Sequence, residues 1–420
     1  MQLYELRECL YVAHWHRQLA LPKLISFSQQ RLKINTEIRT VQNRGGGLVG
    51  LSLTAMVFNV SFYVATSLIV LYFKDIGMSA FLIGLSMTIT RFGYGISSMG
   101  SGAMADRVGR SIPMFIGFLL GALSSFLLSF TKNQILAALL VLLIWVGSAV
   151  YNPAAIALVS DISNSGKAMP FSLYYFFVTV GQIIGQTAAG IIIEGYGYRA
   201  AFLLSSFLSL IAAIMVRLWF WDEKRDRKTD VIGDLVRGVR IMAENRYLRC
   251  LAIALSLHGI GFTMSYTFIP LVARADQKLN DSQIGLILSI WSLGNLIGMI
   301  PLGKITDKIG GKKMLIYHLA ASSAVWWMYP FIQDMSTIAA LMLVQGIVGA
   351  MDLPARRMIL VGISEREVAT AIGSLDSITF LVSSIGNLLA GLTWGMGHWV
   401  PFVLGSIINL AGLFVLLLMR

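Results

Sequence analysis

Five ionisable side chains stand inside stretches that are otherwise almost wholly apolar: Arg91, His258, Asp352, Arg356 and Asp376. Even on mild scales an arginine at bilayer depth costs about 2.5–3.5 kcal/mol, so such groups pair with one another or line a wet cavity. There they hold anions, carry protons or lock helices together. Arg91 shares a helical face with Gly84, Thr88, Gly95, Ser98 and Gly102, while Leu85, Ile89, Phe92, Ile96 and Met99 take the other face. It therefore points away from lipid. Two roles stay open for it: a structural bond to carbonyls of a neighbouring helix, or an anion-binding and charge-coupling group. Asp352 and Arg356, at i and i+4, fit an ion pair within one helix that serves either a gate or packing. Asp376 has no local basic partner in the sequence, which makes it a candidate proton carrier. His258 is a second candidate, because imidazole is the side chain that titrates nearest neutrality; a helix-to-helix hydrogen bond is its competing role. Asn59, Tyr63, Tyr151, Asn152, Gln182, Gln186, Tyr266 and Trp291 are further candidates for a binding cavity, with core packing the alternative for each aromatic ring.

Helices must hold these groups at depth. Of 420 residues, 56% are hydrophobic and 13% charged, with mean hydropathy +0.73; soluble domains carry about 25% charged residues. Apolar runs long enough to cross a bilayer recur at 47–73, 80–104, 111–130, 135–159, 171–193 and 200–221, then at 249–273, 282–303, 313–332, 337–358, 368–393 and 401–419. The expectation is an all-α membrane protein of twelve spans. It divides into a basic tail (1–46), a six-helix bundle (47–221), a linker (222–248) and a second six-helix bundle (249–420). Val231, Leu235, Val239 and Met242 in the linker recur at helical spacing, which predicts an amphipathic helix on the membrane surface.

The net charge of +12 is spread over alternate loops. That pattern sets membrane orientation and does not suggest nucleic-acid binding. The tail, Arg107, Arg110, Lys167, the linker and Lys304 to Lys313 fall on one side, which is assigned to the cytoplasm together with both termini. Cys9 and Cys250 are too few for a disulfide framework, and residues 1–45 contain no long apolar run of the signal-peptide kind. No HExxH, nucleotide-binding loop or cluster of metal ligands is visible along the sequence, so an enzyme, an ATP-driven pump, a metal and a cofactor are not expected.

The two bundles repeat one another. FLIGLSMTITRFGYGISSMGSGAMADRVGR aligns without a gap to SQIGLILSIWSLGNLIGMIPLGKITDKIGG at an offset of 201 positions. The same offset pairs Pro153-Ala154 with Pro354-Ala355, Ile184-Gly185 with Ile385-Gly386, and Ala189-Gly190 with Ala390-Gly391. A register held across four helices and a charged loop marks a parallel duplication, an architecture that places substrate between the halves near the bilayer midplane.

The loop GAMADRVGR (102–110) resembles the most diagnostic motif of the major facilitator superfamily, and GKITDKIGGKK (303–313) is similar to its second-half counterpart. The resemblance runs from about residue 47 to the end. It implies the twelve-helix fold of that family and solute transport by alternating access. It also implies a gating role for Gly102, Asp106, Arg107, Gly109, Arg110 and Asp161, and for Gly303, Asp307, Lys308 and Gly310. Asp106 is expected to face the start of the eleventh span near Val368, and Arg107 or Arg110 to pair with Asp161. Asp307 is expected to face Phe171, but Gly362 occupies the position matching Asp161 and weakens that latch. The third, sixth, ninth and twelfth spans are implied to lie outermost.

Two departures bear on direction. The fourth span lacks an early basic residue, and Gln186 replaces the proline of the antiporter motif; MDLPARR (351–357) resembles a segment of exporter-like branches. The expectation is proton-coupled export of a small amphipathic compound by a monomer in the plasma membrane, with proton, solute and bilayer as partners. Uptake of an organic anion held by Arg91 is the alternative. A membrane sensor or scaffold is the reading from another class.

Overall fold

In the computed structural model, residues 47–163, 168–220, 233, 240, 243–361 and 368–419 are described. The basic tail and nearly all of the expected linker helix lie outside them. Among the described residues the secondary structure is helical. The first half comprises α1 (Leu48–Thr66), α2 (Ile69–Asp75), α3 (Ala80–Val108), α4 (Ser111–Leu128), α5 (Gln134–Ser163) and α6 (Ala168–Trp219). The second comprises α7 (Arg246–Tyr266), α8 (Ile269–Ala275), α9 (Asp281–Ile309), α10 (Gly311–Met328), α11 (Met335–Gly349), α12 (Asp352–Val361), α13 (Val368–Ser383), α14 (Ile385–Thr393) and α15 (Val400–Leu417).

Nine helical stretches among the described residues are long and apolar enough to cross a membrane. One of them, Met169–Trp219, is broken at Gly197, whose φ of +77° only glycine adopts without strain. The long helices α3 and α10 are not among the nine; Arg91 lies in α3 and His318 in α10. Short breaks after Thr66, Tyr266, Gly349 and Ser383 divide other expected spans into two pieces. Hydrogen-bonding side chains start several helices. Ser79 accepts from Leu82 N, Asn133 from Leu136 N at 3.0 Å, and Asn280 forms a capping box with Gln283. Gly109 (φ +95°) and Gly310 (φ +89°) make the sharp turns out of α3 and α9, as the loop motif requires.

Within the first half, α1 packs on α6, α3 on α5, and α4 on both α5 and α6. Within the second, α7 packs on α15, α9 on α11, and α10 on α15 and α12. The halves meet where α9 lies against α6 and where α3 lies against α13 and α14. Glycines of the repeat make this interface. A Cβ on Gly84 would stand 3.0 Å from the Cα of Gly391, and one on Gly285 would stand 3.0 Å from the Cα of Gly190. Because Gly84 corresponds to Gly285 and Gly190 to Gly391, the duplication places matching contacts on both sides of the junction. Small residues there let helix backbones approach in a solvent of lipid tails that gives no hydrophobic drive. Ile89, Phe92 and Ile96 are exposed on the outer face of α3, as the sequence pattern predicts.

Candidate functional site

A cavity of about 330 Å³ lies where Arg91 of α3 meets the second half. The walls come from α7 (His258, Phe262), α9 (Trp291, Asn295), α10 (His318), α11 (Gln345), α12 (Asp352, Arg356) and α13 (Asp376, Phe380). Of the residues singled out in the sequence, Arg91, His258, Trp291, Asp352, Arg356 and Asp376 line it. The others serve elsewhere. Tyr151, 1% exposed, bonds the Tyr174 hydroxyl at 2.5 Å and packs against Phe58 and Phe118. Asn152 donates to the Tyr94 hydroxyl, Asn59 to the Ala55 carbonyl of its own helix, and Gln186 accepts from Ser292 at 2.7 Å. Tyr63 packs edge-on against Phe62, and Gln182 is half-buried on α6. Tyr266 stacks on Phe262 and tilts against Trp291, which supports the wall from behind.

Arg91 extends over the Phe380 ring, its guanidinium carbon 4.5 Å from the ring centroid. A cation over an aromatic face gains about 0.5–2 kcal/mol, more when desolvated. Its Nε is buried without a hydrogen-bond partner among the described residues, as are Trp291 Nε1 and Gln345 Oε1. These are polar groups of the kind a solute could satisfy.

Asp352 and Arg356 form the expected pair, through Nε at 2.6 Å and through Nη2. Asp376, which has no basic partner on its own helix, finds one on another. Its carboxylate takes Arg357 Nη2 at 2.8 Å and lies 3.8 Å from Arg356 Nη1. Both arginines sit on α12 and reach across to α13, a partnership that spacing along one helix could not reveal. His258 donates or accepts only within the protein: its Nδ1 is 3.0 Å from Asn409 Oδ1 and its Nε2 is 3.1 Å from His318 Nε2. His318 is the residue that sequence reasoning missed. It lies on a helix assigned to the outside, yet it is 3% exposed and turned to the cavity. The polar pair His318 and Ser322, one turn apart on α10 and opposite Gln345, was the available signal.

Two sets of charges occupy the two ends. At one end, Arg274 binds Asp75 at 2.9 Å, Asp281 at 2.5 Å and the Tyr198 hydroxyl at 3.0 Å, joining the halves. Glu194 adds a bond across the same junction by accepting from Ser282 N. None of these residues was singled out as a gate. At the other end Arg110, 8% exposed, holds Asp106 at 2.6 Å and Asp161 at 3.2 Å, all three in the first half. The Arg110–Asp161 pair was expected. Asp106 accepts from Arg110 Nη1 four residues ahead of it; the segment just before α13, which Asp106 was expected to face, lies outside the described residues. Arg107, Asp307 and Lys308 are exposed, and a Cβ on Gly102 or Gly303 would meet nothing within 4 Å. Gly362 lies outside the described residues.

The sequence pattern described as Major Facilitator Superfamily matches residues 51–272 and again 251–420. An uncharacterized MFS-type transporter of Methanocaldococcus jannaschii is 23% identical over 402 residues, covering 93% of this chain and 98% of the relative. Multidrug resistance protein 2 of Bacillus subtilis is 24% identical over 334 residues, covering 76% of this chain and 81% of the relative. Among solved structures, the nucleoside transporter NupG superposes with a TM-score of 0.76 at 14% identity, covering 89% of this chain and 99% of that one.

Proposed function

The chain belongs to the major facilitator superfamily and is a transporter, not an enzyme, and from that membership we propose secondary active transport of a small amphipathic solute by alternating access. The observation that carries this reading is the cavity of about 330 Å³, which takes Arg91 from the first half and its remaining walls from the second. That volume suits a small ligand. Aromatic walls from Phe262, Trp291 and Phe380 favour a flat or apolar body. We place the twelve spans of the family fold in the plasma membrane with both termini in the cytoplasm, and the working unit is a monomer.

In this reading the Asp75–Arg274–Asp281 network closes the outer end, and loading occurs from the cytoplasmic end. The halves rock about the glycine contacts, and the Arg110 triad stiffens the first half while they do so. Export driven by a proton gradient is the preferred direction, supported by relatives named multidrug resistance proteins. Uptake of an organic anion is the second reading. It is favoured by one observation, the buried Arg91 Nε that has no hydrogen-bond partner among the described residues.

Proteoliposomes loaded with either ethidium or carboxyfluorescein and subjected to a pH gradient separate these readings. Export predicts gradient-driven movement of ethidium. The anion reading predicts movement of carboxyfluorescein that drops at least tenfold in Arg91→Ala. A solute that raises the melting temperature of the purified protein yet never crosses the membrane under any gradient sinks both and leaves a sensor.

A further inference from the structure

Hydrogen bonding fixes the tautomers of two facing histidines. Asn409 Nδ2 donates to the Leu319 carbonyl at 3.1 Å, which leaves Asn409 Oδ1 to face His258 Nδ1. An oxygen of that kind only accepts, so His258 Nδ1 carries the hydrogen. The Val348 carbonyl, 2.8 Å from His318 Nδ1, imposes the same choice on the second ring. Both neutral imidazoles therefore present their Nε2 lone pairs to each other, 3.1 Å apart. Two opposed lone pairs in a buried place repel. A Lewis-acidic cation between them converts the repulsion into two bonds.

The surroundings suit a metal ion. The carboxylate of Asp352 lies with the two ring nitrogens in one group, all ligand atoms within 4.8 Å of each other. Tetrahedral zinc with bonds of 2.0–2.1 Å holds two nitrogens about 3.3 Å apart, so the rings need only a small separation. Metal-bound histidines ordinarily donate their other N–H to a carbonyl or carboxylate, which fixes the ring and raises its basicity; here His258 Nδ1 and His318 Nδ1 donate to Asn409 Oδ1 and to the Val348 carbonyl. Asp352 is shared with Arg356, but Arg356 also lies 3.8 Å from Asp376. Turning Asp352 toward an ion thus leaves Arg356 with an acid partner. All three ligand residues line the cavity, which provides the entry path and an open coordination position.

We propose that His258, His318 and Asp352 bind one divalent first-row transition cation of the zinc class at the cavity wall. Two imidazoles and one carboxylate select such an ion over magnesium or calcium, which prefer all-oxygen shells. The open position takes water or an anionic group of the solute. The proposal stands whether the solute is exported or taken up, because metal binding is read without transport.

The test is calorimetric titration of the purified full-length chain in detergent with zinc chloride, paired with cobalt absorption spectra. One equivalent of zinc is expected. His258→Gln and His318→Gln each weaken binding about 100-fold or more, and Asn409→Ala, which removes only the supporting bond, weakens it about 10–100-fold. His398→Gln, at a distant loop, leaves it unchanged. If a glutamine variant fails to fold, the unaltered chain carries the test through the intense visible bands of tetrahedral cobalt, displaced by equimolar zinc. Absence of zinc binding, binding that survives both glutamine substitutions, or a proton alone as occupant overturns the proposal.

Discussion

The repeat relates two helix bundles whose centres differ in chemistry. At the offset of 201 positions, Asp352 meets Tyr151, Arg356 meets Ala155, Asp376 meets Tyr175 and His318 meets Gly117. In the first half this region is packed. Tyr151, Phe58 and Phe118 pack together as tilted rings, and a Cβ on Gly117 would stand 3.2 Å from Tyr151 Cβ. In the second half the same region carries a bidentate ion pair, a second acid and two facing imidazoles. The cavity opens there. The charged triad at the loop end is reversed in its placement: Arg110 joins Asp106 and Asp161 in the first half, where the second half has Gly311 opposite Arg110 and Gly362 opposite Asp161. Duplication preserved the helix crossings, and divergence gave one half a locked loop and the other a polar centre.

The largest effect should come from breaking the charged centre. Arg356→Leu strands the Asp352 carboxylate, because Arg357 already serves Asp376. Removing one partner of a fully buried pair costs about 3–5 kcal/mol; Asp352 and Arg356 are 17% and 22% exposed to the cavity, which puts the loss at the low end of that range. Ala155→Leu, at the matching place in the packed half, overfills a core and costs about 1–3 kcal/mol. Unfolding of both variants in mixed micelles measures the contrast, and equal losses would erase it. Next in size is Tyr151→Phe, which leaves the Tyr174 hydroxyl buried and unpaired at an expected cost of about 1–3 kcal/mol. Solute flux should survive that change, since Tyr151 lies off the cavity; a flux loss beyond the loss of folded protein would move the site into the first half. Arg110→Met releases two acids that are 22% and 30% exposed. Water compensates them in part, so about 1 kcal/mol is expected, together with a transport rate that falls more than stability accounts for.

Much of this contrast could be read along the chain, and the reasons are local. Helix period, glycine register and turn glycines are short-range signals, so the repeat, the face of Arg91 and the turns at Gly109 and Gly310 were legible. The Asp352–Arg356 pair was legible because one helical turn separates the two. What failed was long-range. Arg357 with Asp376, His258 with His318, and Arg274 with Asp75 lie on different helices, and no spacing rule connects them. Tyr151 and Gln186, expected at the cavity, bond within the protein instead of lining it: Tyr151 to the Tyr174 hydroxyl and Gln186 to Ser292 across the junction of the halves.

The finest distinction between the halves is at their helix caps. Asn133 starts α5 by accepting from Leu136 N, and Asp334, its counterpart in the repeat, starts α11 by accepting from Thr337 N at 2.8 Å. Ser336 and Thr337 hydroxyls also donate to Asp334, and these bonds hold its pKa down to about 2. An unfolded aspartate titrates near 3.9. The folded value is depressed, so the unfolded chain takes up the proton first as the pH falls. The cap's charge-dependent contribution is therefore complete above about pH 4 and is lost as the pH drops toward 2. Asparagine caps as well as aspartate does. Asp334→Asn should thus leave stability at pH 7 nearly unchanged and flatten the acid limb of the stability profile, making the second half behave like the first. The group is fully exposed, so the change is small and best read as a difference between two pH profiles measured at one ionic strength. An unaltered acid limb in Asp334→Asn would show that the cap charge is already screened by water and that the halves differ only in their centres.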